Sequence, residues 1–163
     1  MKHFLFTFVL AALCLSASAQ QVTGTFAPLK DVARVKLVID YSEADIMGMS
    51  EAQFAEFEED WERDRKEVLF QFNNKANEIL KGRLTLGNYN FETEYTLNVI
   101  VRSVDAKGNH DCDVILTDRD GEEVARAAAF LGDGGLFGTK LHLIKAGAKH
   151  TGENLLLKQL GKK

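Results

Sequence analysis

Residues 95–131, YTLNVIVRSVDAKGNHDCDVILTDRDGEEVARAAAFL, carry the pattern that decides the fold. Tyr95, Leu97, Val99 and Val101 fall on every second position, with Phe91 on the same phase, and polar residues fill most of the gaps. Successive side chains of a strand point to opposite faces, so this alternation reads as a half-buried strand. Asp105-Ala106-Lys107-Gly108-Asn109 is a turn, after which Cys112, Val114 and Leu116 resume the alternation. Asp118-Arg119-Asp120-Gly121 reads as a hairpin turn, because Asp-Gly supplies the positive φ that such turns require. Val124 to Leu131 forms a third strand, whose Ala125, Ala127 and Ala129 give one small-residue face for a helix to approach.

Working outward, Ala33 to Tyr41 alternates in the same way, with Val35, Leu37, Ile39 and Tyr41 on one side. Residues 20–32 hold the single proline, Pro28, and read as an extended N-terminal arm. Ser50 followed by Gln53 is a capping box, which satisfies unpaired amides at a helix start. A helix over residues 51–81 follows, with Phe54, Phe57, Trp61, Val68, Phe72, Ala76 and Ile79 as its apolar stripe and Gly82 as its stop. A glycine-rich segment, residues 132–138, leads into a last helix over 139–160. Its Gly147 and Gly152 imply close packing, with Trp61 the expected neighbour. The reading is therefore an α+β two-layer sandwich of order β-α-β-β-β-α. Its four-stranded, mostly antiparallel sheet carries both helices on one face. One domain over 33–163 suffices to bury a full core.

Residues 1–19 read as a signal peptide: Lys2, an uncharged run from Phe4 to Leu13, and Ala17-Ser18-Ala19 as the cleavage pattern. Cleavage before Gln20 leaves 144 residues and moves the formal charge from −4 to −5, because Lys2 goes and no acid does. A moderately acidic chain argues against nucleic acid or an anionic membrane as the main partner, and no later apolar run is long enough for membrane insertion. Cys14 leaves with the leader, so Cys112 stands alone and no intrachain disulfide is available. An exported chain held by packing alone fits a bacterial periplasm or secreted fraction, with outer-membrane association compatible.

No catalytic, cofactor or metal site is read in the sequence. The glycine segment fails the G-x-G-x-x-G pattern, since the last position is Phe137, and it lacks the lysine of a phosphate loop. His110-Asp111-Cys112-Asp113 holds ligand-type side chains, but alternation divides them between two faces and puts Cys112 with Val114 and Leu116. Asp118, Asp120 and Glu122 lack the full spacing of a calcium loop. The acids of the long helix read as a solvated face. The sheet face turned away from the helices receives Val38, Ile100, Ala128 and Phe130, and this is the expected interaction surface, for a partner or a homodimer. The N-terminal arm is the competing cover for it.

The order of elements, the Asp-Gly hairpin, the Gly134-Gly135-Leu136-Phe137-Gly138 turn and the helix containing Lys145-Ala146-Gly147-Ala148-Lys149-His150 resemble small uncharacterised exported proteins of Gram-negative bacteria. That architecture is similar to the sandwich domains of outer-membrane assembly and transport-auxiliary lipoproteins. The likeness covers most of residues 33–160; it implies a fold and an envelope location, and no activity or site residue. The chain departs from those lipoproteins because Leu13, not a small residue, precedes Cys14. The expected role is a non-enzymatic binding or assembly module of the cell envelope. The alternatives are an enzyme built on helix carboxylates and a secreted structural factor. The exported protein is expected to begin at Gln20 without lipid. Intact mass of the envelope fraction checks this, and a lipid-modified Cys14 contradicts it.

Overall fold

The computed structural model describes residues 21–155; residues 1–20, including the expected signal peptide, and residues 156–163 lie outside it. Eight strands form one sheet: β1 (Gln21–Gly24), β2 (Arg34–Asp40), β3 (Asp45–Ile46), β4 (Met49–Ser50), β5 (Thr85–Gly87), β6 (Tyr95–Val104), β7 (His110–Asp118) and β8 (Glu123–Gly132). Three α-helices accompany them: α1 (Glu51–Phe57), α2 (Trp61–Leu80) and α3 (Lys140–Leu155). The sheet runs β1-β8-β7-β6-β2-β5, and β3 and β4 make a small ribbon joined to the end of β6.

This corrects the four-stranded, mostly antiparallel expectation: the sheet is eight-stranded and mixed. The alternating strands are β2, β6, β7 and β8, and β6-β7-β8 is antiparallel as two tight turns require. β2, however, lies parallel to both of its neighbours, β5 and β6. The chain leaves β2, crosses through α1 and α2 and re-enters the sheet in the same direction, the usual outcome of a helical crossover. β5 is too short to show alternation, and Asn77 of α2 holds it in place. The Asn77 side chain donates to Leu86 O at 2.9 Å and accepts from Leu86 N at 2.8 Å, completing an edge that no further strand covers. The arm also joins the sheet. β1 pairs with β8, Gln21 opposite Ala128, and then Phe26 and Leu29 enter the core around a 3₁₀ turn over Ala27–Lys30.

The capping box forms as read: Gln53 N donates to Ser50 Oγ at 3.3 Å, and Ser50 N donates to Gln53 Oε1 at 3.0 Å. The single long helix does not form. It breaks after Phe57, and α2 starts at Trp61. Glu56, Glu58, Glu59, Asp60 and Glu62 crowd this segment, and their repulsion weakens a continuous helix. The break turns Trp61 into the core, edge-on to both Phe54 (5.1 Å between ring centroids) and Tyr41 (5.5 Å). It leaves Phe57, expected in the stripe, 64% exposed.

Three register shifts interrupt the long strands, and two of them decide which later residues face the core. Beside Arg102 the pairing of β6 with β7 shifts, so Val101 and Val104 both face the core. Between Cys112 and Val114 the pairing of β7 with β8 shifts, so Ala128 and Ala129 together face one residue of β7. Ala129 takes a positive φ of 52° there, and every later residue of β8 changes sides.

α2 and α3 pack side by side on one sheet face, and three glycines set how closely α3 approaches it. A Cβ on Gly147 would lie 1.9 Å from Gly108 O and 2.4 Å from His110 Nδ1. One on Gly132 would lie 1.9 Å from Thr151 Oγ1, and one on Gly108 2.2 Å from the Leu143 carbonyl. Gly152 meets the Phe72 backbone of α2 at 2.8 Å. Trp61 is therefore the neighbour of neither helix glycine. Gly147→Ala is expected to cost several kcal/mol or to prevent folding, because backbone must move. Gly121→Ala, at φ 86° in open space, is expected to cost about 1 kcal/mol. Denaturant unfolding of both variants checks the contrast.

Candidate functional site

The sheet has two unlike faces. On the covered face, Val35 and Leu37 of β2, Leu97, Val99 and Val101 of β6, and Val114 and Leu116 of β7 are all buried. Trp61, Val68, Phe72 and Ala76 of α2 and Ile144 and Ala148 of α3 meet them in the core. Among the described residues no helix covers the other face. One row across it is Val38, Asn98, Ile115, Arg126 and Thr23, opposite one another strand by strand. A second row aligns Asp40, Ile100 and Asp113.

The structure therefore brings three of the four expected surface residues to this face. Val38, Ile100 and Ala128 are half-buried on it. Phe130 is not there: it is 1% exposed, in the core. Strict alternation from Ala125 puts Phe130 outside, but the bulge at Ala128 and Ala129 inserts one residue and turns Phe130 inward. Ile115, which alternation also places outside, belongs to the surface and was missed. The arm runs along the β8 edge as β1 and does not lie over the face.

Asp113 organises the centre of the face. Its Oδ2 accepts from Arg102 at 2.6 Å and from Arg126 at 3.1 Å, and its Oδ1 accepts from the Ala129 amide of the bulge at 3.4 Å. Burial by itself raises the carboxyl pKa, but the Arg102 hydrogen bond and charge, with the Ala129 amide and Arg126, outweigh it and hold the carboxyl below its ordinary value. Asp111 responds differently. Burial first, then the charge of Asp113, raises its pKa against the pull of Arg102, and its Oδ1 is buried with no hydrogen-bond partner. The face thus combines half-buried aliphatic side chains with a fixed two-arginine, one-carboxylate clamp. Such a surface offers both apolar area and directed hydrogen bonds to a polypeptide.

The ligand-type side chains of β7 divide as alternation predicts. His110 and Cys112 face the core, and Asp111 and Asp113 face outward. His110 is 2% exposed. Its Nδ1 lies 2.9 Å from Gly108 O, and a carbonyl only accepts, so Nδ1 carries the proton. Nε2 then accepts from the Tyr41 hydroxyl at 2.9 Å. Burial raises the pKa of the Cys112 thiol far above its usual value, with Asp111 and Asp113 adding to the effect, so Cys112 is a packed thiol and no nucleophile.

The remaining candidates are occupied by local structure. Asp118 accepts from the Asp120 and Glu122 amides at 3.0 and 2.9 Å, and Gly121 sits at φ 86°, so this segment is the hairpin. No group of three metal-type ligands exists among the described residues. In the glycine segment, Gly134 N donates to Asn109 Oδ1 at 2.7 Å and Gly135 N to Lys107 O at 3.1 Å. These amides tie the loop to the β6–β7 turn and are spoken for. Positive φ is needed only at Gly138; Gly134 is required because a Cβ would meet Lys107 O at 1.9 Å. Glu58 and Asp64 border a dent of about 20 Å³, and each is engaged by a cation, Lys140 and Arg63. No described helix is long and apolar enough to cross a membrane.

No family model and no curated protein matches the chain. Solved structures similar to it include a PelC dodecamer from Paraburkholderia phytofirmans, at 12% identity and a TM-score of 0.49, and a single-substitution variant of that dodecamer, at 17% and 0.47. Each match covers 86% of this chain and 96% of the other. An uncharacterised protein is similar at 11% identity and a TM-score of 0.44, over 83% and 95% of the two chains. Likenesses at this level carry no function across.

Burial lowers the His110 pKa from 6.5 to about 4, only partly offset by the Gly108 hydrogen bond and the charge of Asp105. Between those values the unfolded chain binds a proton that the folded chain refuses. The contribution is therefore whole above pH 6.5 and is lost as pH falls to about 4, a change of roughly 3 kcal/mol. Asp113 and Asp105, with lowered pKa values, also lose stability in acid, at lower pH. Melting temperature should therefore fall between pH 6.5 and 5 in the wild type and much less in His110→Gln. Equal slopes in the two proteins contradict the assignment.

Proposed function

We propose that the chain is an exported, non-enzymatic binding or assembly module of the bacterial cell envelope, and that the uncovered sheet face is its contact surface. The observation that carries this reading is the asymmetry of the sheet. One face is sealed by α2 and α3, while the other presents Val38, Ile100, Ile115 and Ala128 around the Arg102–Asp113–Arg126 clamp. Apolar side chains collected on a face without a covering layer are stabilised by a contact that removes them from water. The signal-peptide pattern read over residues 1–19 supports export.

Photocrosslinking in a Gram-negative host tests the reading. A photoreactive residue at Ile100 or Ile115 should give a discrete adduct in the envelope fraction, and one at Asn74 on the exposed side of α2 should give none. Val38→Glu with Ile100→Lys should abolish the Ile115 adduct while shifting the melting temperature by only a few degrees. A protein retained in the cytoplasm, or one giving no adduct from the open face, overturns the proposal.

A further inference from the structure

A second apolar surface lies away from the open face, at the end of the molecule where α1 stops and α3 begins. Leu136 and Phe137 are adjacent in the β8–α3 loop and are 88% and 92% exposed. The loop is held on both sides of them. Upstream, the Gly134 and Gly135 amides are anchored to Asn109 and Lys107; downstream, Thr139 O accepts from Leu143 N at 3.1 Å in the first turn of α3. Two large apolar side chains are thus displayed on a tethered tip. Phe57 reaches the same end: Lys140 Nζ lies 4.2 Å from its ring centroid and 2.8 Å from the Glu58 carboxylate.

The charge around this tip is lopsided. Lys140 is engaged by Glu58, and Arg63 by Asp60 and Asp64. Glu56 and Glu59, which flank Phe57 and Glu58 in the chain, are exposed and make no ion pair among the described residues, and at the loop base Lys107 contributes its backbone carbonyl, which accepts from Gly135 N. The surface is apolar with an acidic border, and its complement is a segment that is apolar and basic. The chain contains one. Residues 156–163 read LLKQLGKK, with Leu156, Leu157 and Leu160 beside Lys158, Lys162 and Lys163.

We propose that copies of this chain associate head to tail, the Phe57–Leu136–Phe137 tip of one copy receiving residues 156–163 of the next. Tip and tail lie at opposite ends of α3, whose 16 residues span roughly 24 Å. The five residues from Leu156 to Leu160 reach at most about 17 Å even when fully extended, which is shorter than α3. A second copy offers the tip without that constraint. The contact is heterologous, because the surfaces joined are different, so it extends into a ring or a filament and does not stop at a symmetric dimer. The inference deepens the assembly reading by naming a partner, and rests on it only for the protein being an assembly module. It uses a surface other than the open face.

Sedimentation of the full mature chain, starting at Gln20, over ~1 to 500 µM tests the proposal. The wild type should self-associate, more weakly at high salt because the acidic border and tail lysines contribute. Leu136→Asp with Phe137→Asp should weaken association at least tenfold with an unchanged melting temperature. Lys158→Glu with Lys162→Glu and Lys163→Glu should do the same. Mixing these two variants leaves one intact tip and one intact tail, and should give a 1:1 complex that grows no further. A wild type that stays monomeric throughout, or a mixture that forms no complex, overturns the proposal. So does binding of a monomeric wild type to phosphatidylethanolamine–phosphatidylglycerol vesicles that the tip substitutions abolish, which would assign the tip to lipid. Val38→Glu with Ile100→Lys should leave this association unchanged, so failure here and failure of the open-face reading are distinguishable.

Discussion

The structure turns on the seam where α3 meets the ends of β7 and β8. Gly108, Gly132 and Gly147 remove side chains from that seam, and backbone packs on backbone at distances that no Cβ would allow. His110 is sealed inside it. A buried imidazole without water must stay neutral and must satisfy both ring nitrogens internally, which the Gly108 carbonyl and the Tyr41 hydroxyl do. Tyr41 in turn packs edge-on to Trp61, and Trp61 to Phe54, so a single chain of contacts runs from α3 through the end of β2 to α1. The position of α3 also fixes where the β8–α3 loop leaves the sheet, and with it the exposure of Leu136 and Phe137.

Much of this was legible because it rests on local chemistry. The Ser50–Gln53 box, the Asp118–Gly121 hairpin and the alternation of Leu97, Val99 and Val101 each specify their geometry within a few residues. Gly147 and Gly152 announced a close approach, though the neighbours proved to be Gly108, His110 and the Phe72 backbone. What was hidden depends on distant residues. The bulge at Ala128 and Ala129 is held by Asp113 from the neighbouring strand, and nothing in the β8 sequence marks it. One inserted residue reversed the face of Phe130 and removed it from the expected surface. β1 and β5 are too short to show a period, and the parallel direction of β2 follows from the crossover and not from its own residues. The break between α1 and α2 had a local cause in the run of acids, which a stripe of apolar positions alone conceals.

The division of labour between the two sheet faces follows from the same seam. On β8 the covered face carries the small residues Ala125, Ala127 and Gly132 together with the inward-turned Phe130. The opposite face is released from packing duty and holds its charged residues in a fixed arrangement, with Asp113 clamped between Arg102 and Arg126. A surface with its polar groups already ordered loses less entropy when a partner binds.

The seam itself is tested most directly by the nitrogen resonances of His110, followed by NMR between pH 7 and 4. A neutral ring protonated on Nδ1 should persist down to a pH of about 4. A His110 that titrates near its ordinary value of 6.5, or that carries its proton on Nε2, would contradict a sealed seam and the helix placement built on it.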